Sequence, residues 1–347
     1  MEHPSRVGKY ELEQFLGGGM SHVYRAKDSV LGRRVALKIL TEAGSADAET
    51  RARFLLEARM ASSVNHENII SVYDFGEDQG RPFIVMEFLE GESLREAIKN
   101  GHLGNFQRRL NTALQVARAL DYIHARKIIH RDIKPENINI DAAGKVKLMD
   151  FGIAKSEGVQ LTRAGFTLGT PYYMAPEQVL GKALTPQADV YGFGILLFEM
   201  IAGTKPVTGE SVEKIFQQIL YEPLNLEPLA RLGAPHSLCD LIARCTTKQL
   251  AQRPQNLSPV CDELTGMLDS LRLAHRPAPV SAPARSSVAA MIHPRVAVQP
   301  PPAAVLRFLE WLPAPLRSHH GLMLLSGTAV VLLAGVVFAI LAIAHVI

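Results

Sequence analysis

Residues 128–140 read IIHRDIKPENINI. Two apolar runs, Ile128-Ile129 and Ile138 to Ile140, enclose eight residues, of which His130, Arg131, Asp132, Lys134 and Glu136 are ionisable. Apolar flanks point to a buried position, and burying unpaired charge is costly. So much charge between two strands needs a compensating ligand, and a polyphosphate with its metal ion supplies one. The stretch LMDFGIAK, residues 148–155, repeats the pattern: an apolar strand, then Asp150, then a Phe-Gly turn. Asp150 and Asn137 are oxygen donors of the kind Mg²⁺ prefers, alongside phosphate oxygens and water. Asp132 is placed to accept a proton from an attacking hydroxyl or to orient it, and Lys134 to offset charge on a transferring phosphoryl group. Upstream, RVALKIL sets Lys38 on a strand between apolar neighbours. A buried lysine needs a partner, and Glu57 in ARFLLEARM is the best candidate; together they are suited to hold the α- and β-phosphates.

Working outward, residues 1–89 are strand-rich. YELEQFL, HVYRAKD, RRVALKIL, ISVYDF and PFIVMEFL are short β-prone segments bounded by Gly, Asp or Pro. One helix interrupts them, SADAETRARFLLEARMASSV, opened by a Ser or Asp cap. Beyond Ser93 the pattern becomes mainly helical, as in FQRRLNTALQVARALDYIHA and ADVYGFGILLFEMIAG. Strands first and helices after predict an α+β arrangement of two lobes rather than an alternating parallel sheet.

The ordered set Val35-Ala36-Leu37-Lys38, His130-Arg131-Asp132, Asp150-Phe151-Gly152 and Ala175-Pro176-Glu177 resembles the eukaryotic-type protein kinases. Asn137, five residues after Asp132, completes the match, which spans about residues 10–270. HRDIKPEN and GTPYYMAPE resemble the serine/threonine branch, and the closest likeness is to bacterial membrane-anchored kinases. The resemblance implies a bilobal fold, with an N-lobe at 10–89 holding one main helix and a larger helical C-lobe at 90–273. It implies ATP and Mg²⁺ as ligands and protein substrates. Lys38 and Glu57 would grip phosphates, Asp132 would be the catalytic base, Lys134 would approach the γ-phosphate, and Asn137 and Asp150 would bind Mg²⁺. Thr170 would brace Asp132 and Lys134. Met86 would be the gatekeeper, Glu87 to Leu89 the hinge that meets adenine, and Ala36 and Val23 the roof over the ring. Asp189 and a Glu177–Arg253 ion pair would be structural. Thr162 and Thr167 are the phosphosites to expect, with Arg131 as a partner for the added phosphate.

The phosphate-covering loop departs from G-x-G-x-x-G-x-V. In LGGGMSHV, residues 16–23, counting back from Val23 puts Leu16, Gly18 and Ser21 on the three glycine positions. Sliding by one fits Gly17 and Gly19 to the first two, and Val23 then arrives early, as if one residue were missing. Gly17, Gly18, Gly19, Met20 and Ser21 would line the phosphates in either case, since glycines permit a close backbone approach.

The 347 residues carry a net charge of +3, too small to suggest nucleic acid as a partner. Five arginines against Glu310 alone give +4 after Ala274, leaving −1 on residues 1–273. Residues 274–320 are rich in Pro, Ala and Ser, a composition expected of an extended linker. Residues 322–344, LMLLSGTAVVLLAGVVFAILAIA, hold no charged side chain. As a helix they would span about 34 Å at roughly 1.5 Å per residue, enough for a hydrocarbon core. A single C-terminal transmembrane helix at 321–344 is therefore expected, with only 345–347 beyond it. Arg307, Arg317, His319 and His320 precede it, which keeps that side cytoplasmic. MEHPSRVGKYELEQ does not resemble a signal peptide. Cys239, Cys245 and Cys261 form no C-x-x-C pair and read as reduced and buried.

Two other functions compete. A pseudokinase scaffold at the membrane is supported only by the irregular glycine loop. A small-molecule phosphotransferase is opposed by GTPYYMAPE, which resembles a peptide-docking element. Confinement to a membrane would favour phosphorylation between two copies, a homodimer in passing.

Overall fold

The computed structural model describes residues 5–150 and 171–274. The first lobe is one antiparallel sheet of β1 (Arg6–Val7), β2 (Tyr10–Gly18), β3 (Ser21–Asp28), β4 (Arg34–Leu40), β5 (Val72–Asp78) and β6 (Arg81–Glu87). Their spatial order is β1-β2-β3-β4-β6-β5. Period-two alternation assigns each side chain of β4 to a face. Val35, Leu37 and Ile39 join Tyr10, Tyr24, Ala26, Phe83 and Val85 in a core on one side. Leu40 lies on the other side, packed with Phe54, Ala58 and Ile84. Lys38 shares that second face.

The helix expected over 45–64, opened by a Ser or Asp cap, is present, and a shorter helix precedes it. α1 (Glu42–Ala46) is capped by Thr41, and α2 (Ala48–Ser62) by Asp47, whose carboxylate accepts from Thr50 N at 2.9 Å. Asp47 has extended backbone, φ −83° and ψ 110°, so the residue that caps α2 also breaks the run. The expected strand at Ile70 starts later, at Val72. Ile69 instead bridges Leu148 in parallel, and Ile70 N donates to Leu148 O at 3.0 Å.

The second lobe opens with β7 (Glu92–Ser93) and α3 (Leu94–Lys99), where Ser93 and Glu96 form a capping box. α4 (Phe106–His124) follows, then the small sheet β7-β8-β9 with β8 (Ile138–Ile140) and β9 (Val146–Leu148). The remaining helices are α5 (Pro176–Val179), α6 (Pro186–Ala202), α7 (Val212–Tyr221), α8 (Glu227–Arg231), α9 (His236–Cys245) and α10 (Ser258–Ala274). α6 is apolar almost all round, as a helix at the centre of a core must be. Val190, Phe193, Leu196, Leu197 and Met200 meet Leu110, Ala113, Val116 and Leu120 of α4 and Leu241 of α9 in one buried cluster. Cys245 is buried there, whereas Cys239 and Cys261 are only half-buried. Burial pushes the Cys245 and Cys261 thiols up to about 12, which leaves them unreactive.

Among the described residues no helix is long and apolar enough to cross a membrane. The span expected at 321–344 lies outside them, as do Phe151, Gly152, Thr162, Thr167 and Thr170.

Candidate active site

The charged loop runs from the end of α4 to β8 and closes with a 3₁₀ turn at Pro135–Asn137. One carboxylate in the core holds it. Asp189, in the first turn of α6, accepts from His130 N at 2.7 Å, Arg131 N at 2.8 Å and His124 Nε2 at 2.8 Å. It is 1% exposed. The loop backbone is bent to reach it, and Arg131 stands at φ +67°. Gln178 of α5 donates to Arg131 O at 2.9 Å from the other side. His130 is fully buried, its Nε2 lying 3.0 Å from Met149 O, and Asp132 N points at its Nδ1. Burial lowers its pKa, so the ring is neutral and bridges the loop to β9.

Held this way, Asp132 becomes the centre of a polar cluster. Its Oδ2 accepts from Lys134 Nζ at 2.7 Å and from Asn137 Nδ2 at 3.0 Å. Asn137 Nδ2 also donates to Asp132 O at 2.8 Å. With the amide nitrogen so used, Oδ1 is the atom Asn137 has to offer a metal.

Across the cleft, Lys38 Nζ lies 2.7 Å from Glu57 Oε1 on α2 and 3.1 Å from Asp150 Oδ1 at the end of β9. Burial alone would lower the Lys38 pKa, but Asp150 and Glu57 raise it above its ordinary value. The Lys38 charge holds the Asp150 carboxyl below the usual range, while burial pushes Glu57 up. Two acidic side chains therefore meet one ammonium. The carboxylate of Asp150 and the amide oxygen of Asn137 are a donor set that fits Mg²⁺. Asp150 is at φ +50°, in the left-handed region, and its side chain is 51% exposed.

Strand register gathers the residues expected around adenine. Gly17 lies opposite Val23, Val23 opposite Lys38, and Ala36 opposite Met86. Directly paired residues project to the same side, so all five share the cleft face. Pairing also shows how the glycine stretch enters the sheet. Phe15 meets Tyr24 and Gly17 meets Val23, so Leu16 is a bulge in β2. Glu87 differs from expectation in what its side chain does. Oε1 accepts from Lys147 Nζ at 2.7 Å and Ser71 N at 2.8 Å, tying the hinge to β9. Leu89 follows it, half-buried.

Other contacts were not foreseen. Arg95 of α3 donates to Glu136 at 2.9 Å, to Glu199 at 2.5 Å and to Tyr173, which in turn bonds Glu199. The Glu177–Arg253 pair is present, with Nη1 to Oε1 at 2.7 Å and both side chains at 5% exposure or less.

Residues 10–268 match the protein kinase domain family. The chain belongs to it. The relatives place it among bacterial eukaryotic-type kinases. Serine/threonine-protein kinase PknA of Mycobacterium tuberculosis is 36% identical over 82% of this chain and 67% of its own. PrkC of Bacillus subtilis is 38% identical over 77% of this chain and 41% of its own. A probable serine/threonine-protein kinase of Streptomyces coelicolor is 41% identical over 64% and 35%. The chain thus spans about a third to two thirds of the length of these curated relatives. A crystal structure of Rad53 bound to AMP-PNP shares the fold, with a TM-score of 0.61 and 24% identity over 74% of this chain and 64% of that one.

Proposed function

We propose that this protein transfers the γ-phosphate of ATP to serine or threonine hydroxyls of proteins. One observation carries the reading: Lys38 touches both Glu57 and Asp150, while Asp132, Lys134 and Asn137 form a second cluster beside them. These are the groups phosphoryl transfer needs, since catalysis of that reaction is mainly positioning and charge stabilisation. The pseudokinase alternative is disfavoured because the charged groups of the reaction are all present and the relatives are named as kinases. Lys38 would hold the α- and β-phosphates, its direction fixed by Glu57. Gly17 to Ser21 would cover them from above, and Val23, Ala36, Met86 and the 87–89 backbone would enclose adenine. The substrate hydroxyl attacks the γ-phosphorus and the β–γ bridging oxygen leaves with ADP. Asp132 takes the hydroxyl proton, an effect worth roughly 10²- to 10⁴-fold. Lys134, already at the Asp132 carboxylate, offsets charge on the group in transit. Mg²⁺, held by Asn137 and Asp150, would neutralise the phosphate oxygens. Thr170 would steady Asp132 and Lys134, and phosphate on Thr162 or Thr167 would pair with Arg131.

The same reading anchors the enzyme to a membrane through residues 322–344, with the catalytic lobes on the cytoplasmic side; the absence of charge over that stretch supports it. Phosphorylation between copies follows from confinement. The test is phosphosite mass spectrometry on the full recombinant chain with and without Lys38→Ala. Phosphothreonine or phosphoserine in the unaltered chain and none in Lys38→Ala supports the reading. Equal labelling of both refutes it.

A further inference from the structure

The tip of the β2–β3 hairpin is fastened to the strand that carries Lys38. Met20 O accepts twice from a single residue, from Thr41 N at 3.0 Å and Thr41 Oγ1 at 3.1 Å. Thr41 follows β4 directly and caps α1, where its Oγ1 accepts from Gly44 N at 3.0 Å. Its hydroxyl is thus used in both senses, lone pair toward α1 and proton toward the hairpin. The join is close. A Cβ on Gly44 would stand 2.5 Å from Met20 O, and one on Gly18, at φ +137°, would stand 1.9 Å from Ser21 O. Met20 is 52% exposed, so the two hydrogen bonds from Thr41, not apolar burial, hold the tip.

We propose that Thr41 is a positioning residue for the nucleotide, setting the height of the glycine hairpin above the phosphates through Met20 O. The proposal rests on the phosphotransfer reading above. Its physical logic is preorganisation. Three successive glycines lose much conformational freedom when ordered over a ligand. A hairpin already tied down in the free protein spares that cost on binding. The motif residues alone do not show this, because Thr41 lies outside every phosphate-binding pattern.

The variant that separates positioning from helix capping is Thr41→Asp. Aspartate is a strong N-cap and still accepts from Gly44 N, but it has no proton for Met20 O. Full chains carrying Thr41→Asp, Thr41→Ser and Gly44→Ala are compared by KM for ATP, kcat, thermal midpoint and amide deuterium exchange over residues 15–24 without nucleotide. Loss of one net hydrogen bond predicts a KM rise of roughly three- to ten-fold in Thr41→Asp, with a smaller change in kcat. Exchange in the hairpin should quicken while the midpoint holds. Thr41→Ser should restore both, and Gly44→Ala should copy Thr41→Asp by pushing Met20 O away. Thr41→Asp with unaltered KM and exchange overturns the proposal, as does a KM rise that Thr41→Ser shares. An unaltered chain that transfers no phosphate would refute the phosphotransfer reading instead, and the exchange measurement would still decide the role of Thr41.

Discussion

Replacing Asp189 with asparagine tests how the charged loop is held. The two carboxylate oxygens accept three hydrogen bonds, two on Oδ2 and one on Oδ1. Asparagine offers one acceptor oxygen and one donor group of nearly the same shape. If its oxygen faces His124 and His130, its NH₂ confronts Arg131 N–H; if it is flipped, two bonds are lost. The better case forfeits one charge-assisted bond, roughly 1.5–3 kcal/mol, and strands a buried N–H at a further roughly 1–3 kcal/mol. A total of about 3–5 kcal/mol corresponds to a fall in thermal midpoint on the order of 10 °C for a domain of this size. Function suffers separately, because the N–H groups of His130 and Arg131, just before Asp132, are released. Misplacing a catalytic group by about 1 Å costs on the order of 10²-fold in kcat. KM for ATP should change little, since Lys38, Glu57 and Asp150 are held by other elements. Differential scanning fluorimetry and initial rates on full chains give the three quantities. A variant with midpoint and kcat both at the unaltered values would show that Asp189 does not hold the loop.

Arg253→Ala leaves Glu177 buried without its partner, which should cost about 3–5 kcal/mol, read as a lowered midpoint; an unchanged one contradicts the buried pair. Burial lowers the His130 pKa below 6.5. The unfolded chain then binds a proton that the fold refuses, so this stabilisation is complete above the ordinary value and is lost as pH falls through the folded-state value. The midpoint should decline below pH 6.5, less steeply in His130→Asn; identical slopes count against it. Full chain should co-sediment with lipid vesicles and survive alkaline carbonate extraction, whereas a chain ending at Ala274 should stay in the supernatant; equal behaviour of the two removes the anchor.

The parts of this molecule that depend on local chemistry could be read from the residues. Apolar neighbours in RVALKIL marked Lys38 as a strand residue in need of a partner, and apolar flanks marked the His130–Asn137 stretch as buried and therefore liganded. Glu57 was within reach because a buried ammonium needs one nearby carboxylate, and α2 supplies it. What escaped depends on packing between distant segments. Glu87 and Lys147 are sixty residues apart, and nothing near Glu87 says that its carboxylate turns to β9. Arg95 meets Glu199 across 104 residues for the same reason. The short helix at Glu42–Ala46 was missed because five residues are too few to show a helical period. The bulge at Leu16 escaped as well, because a β-bulge leaves no mark on spacing and only pairing with β3 shows it.

The most direct measurement is a single-turnover assay of Asp132→Asn in the full chain, with ATP and Mg²⁺ affinity measured alongside. The account predicts that nucleotide binding stays within about two-fold while transfer falls by at least roughly 10²-fold, because only the general base is removed. Transfer at the unaltered rate, with nucleotide bound as before, would contradict it.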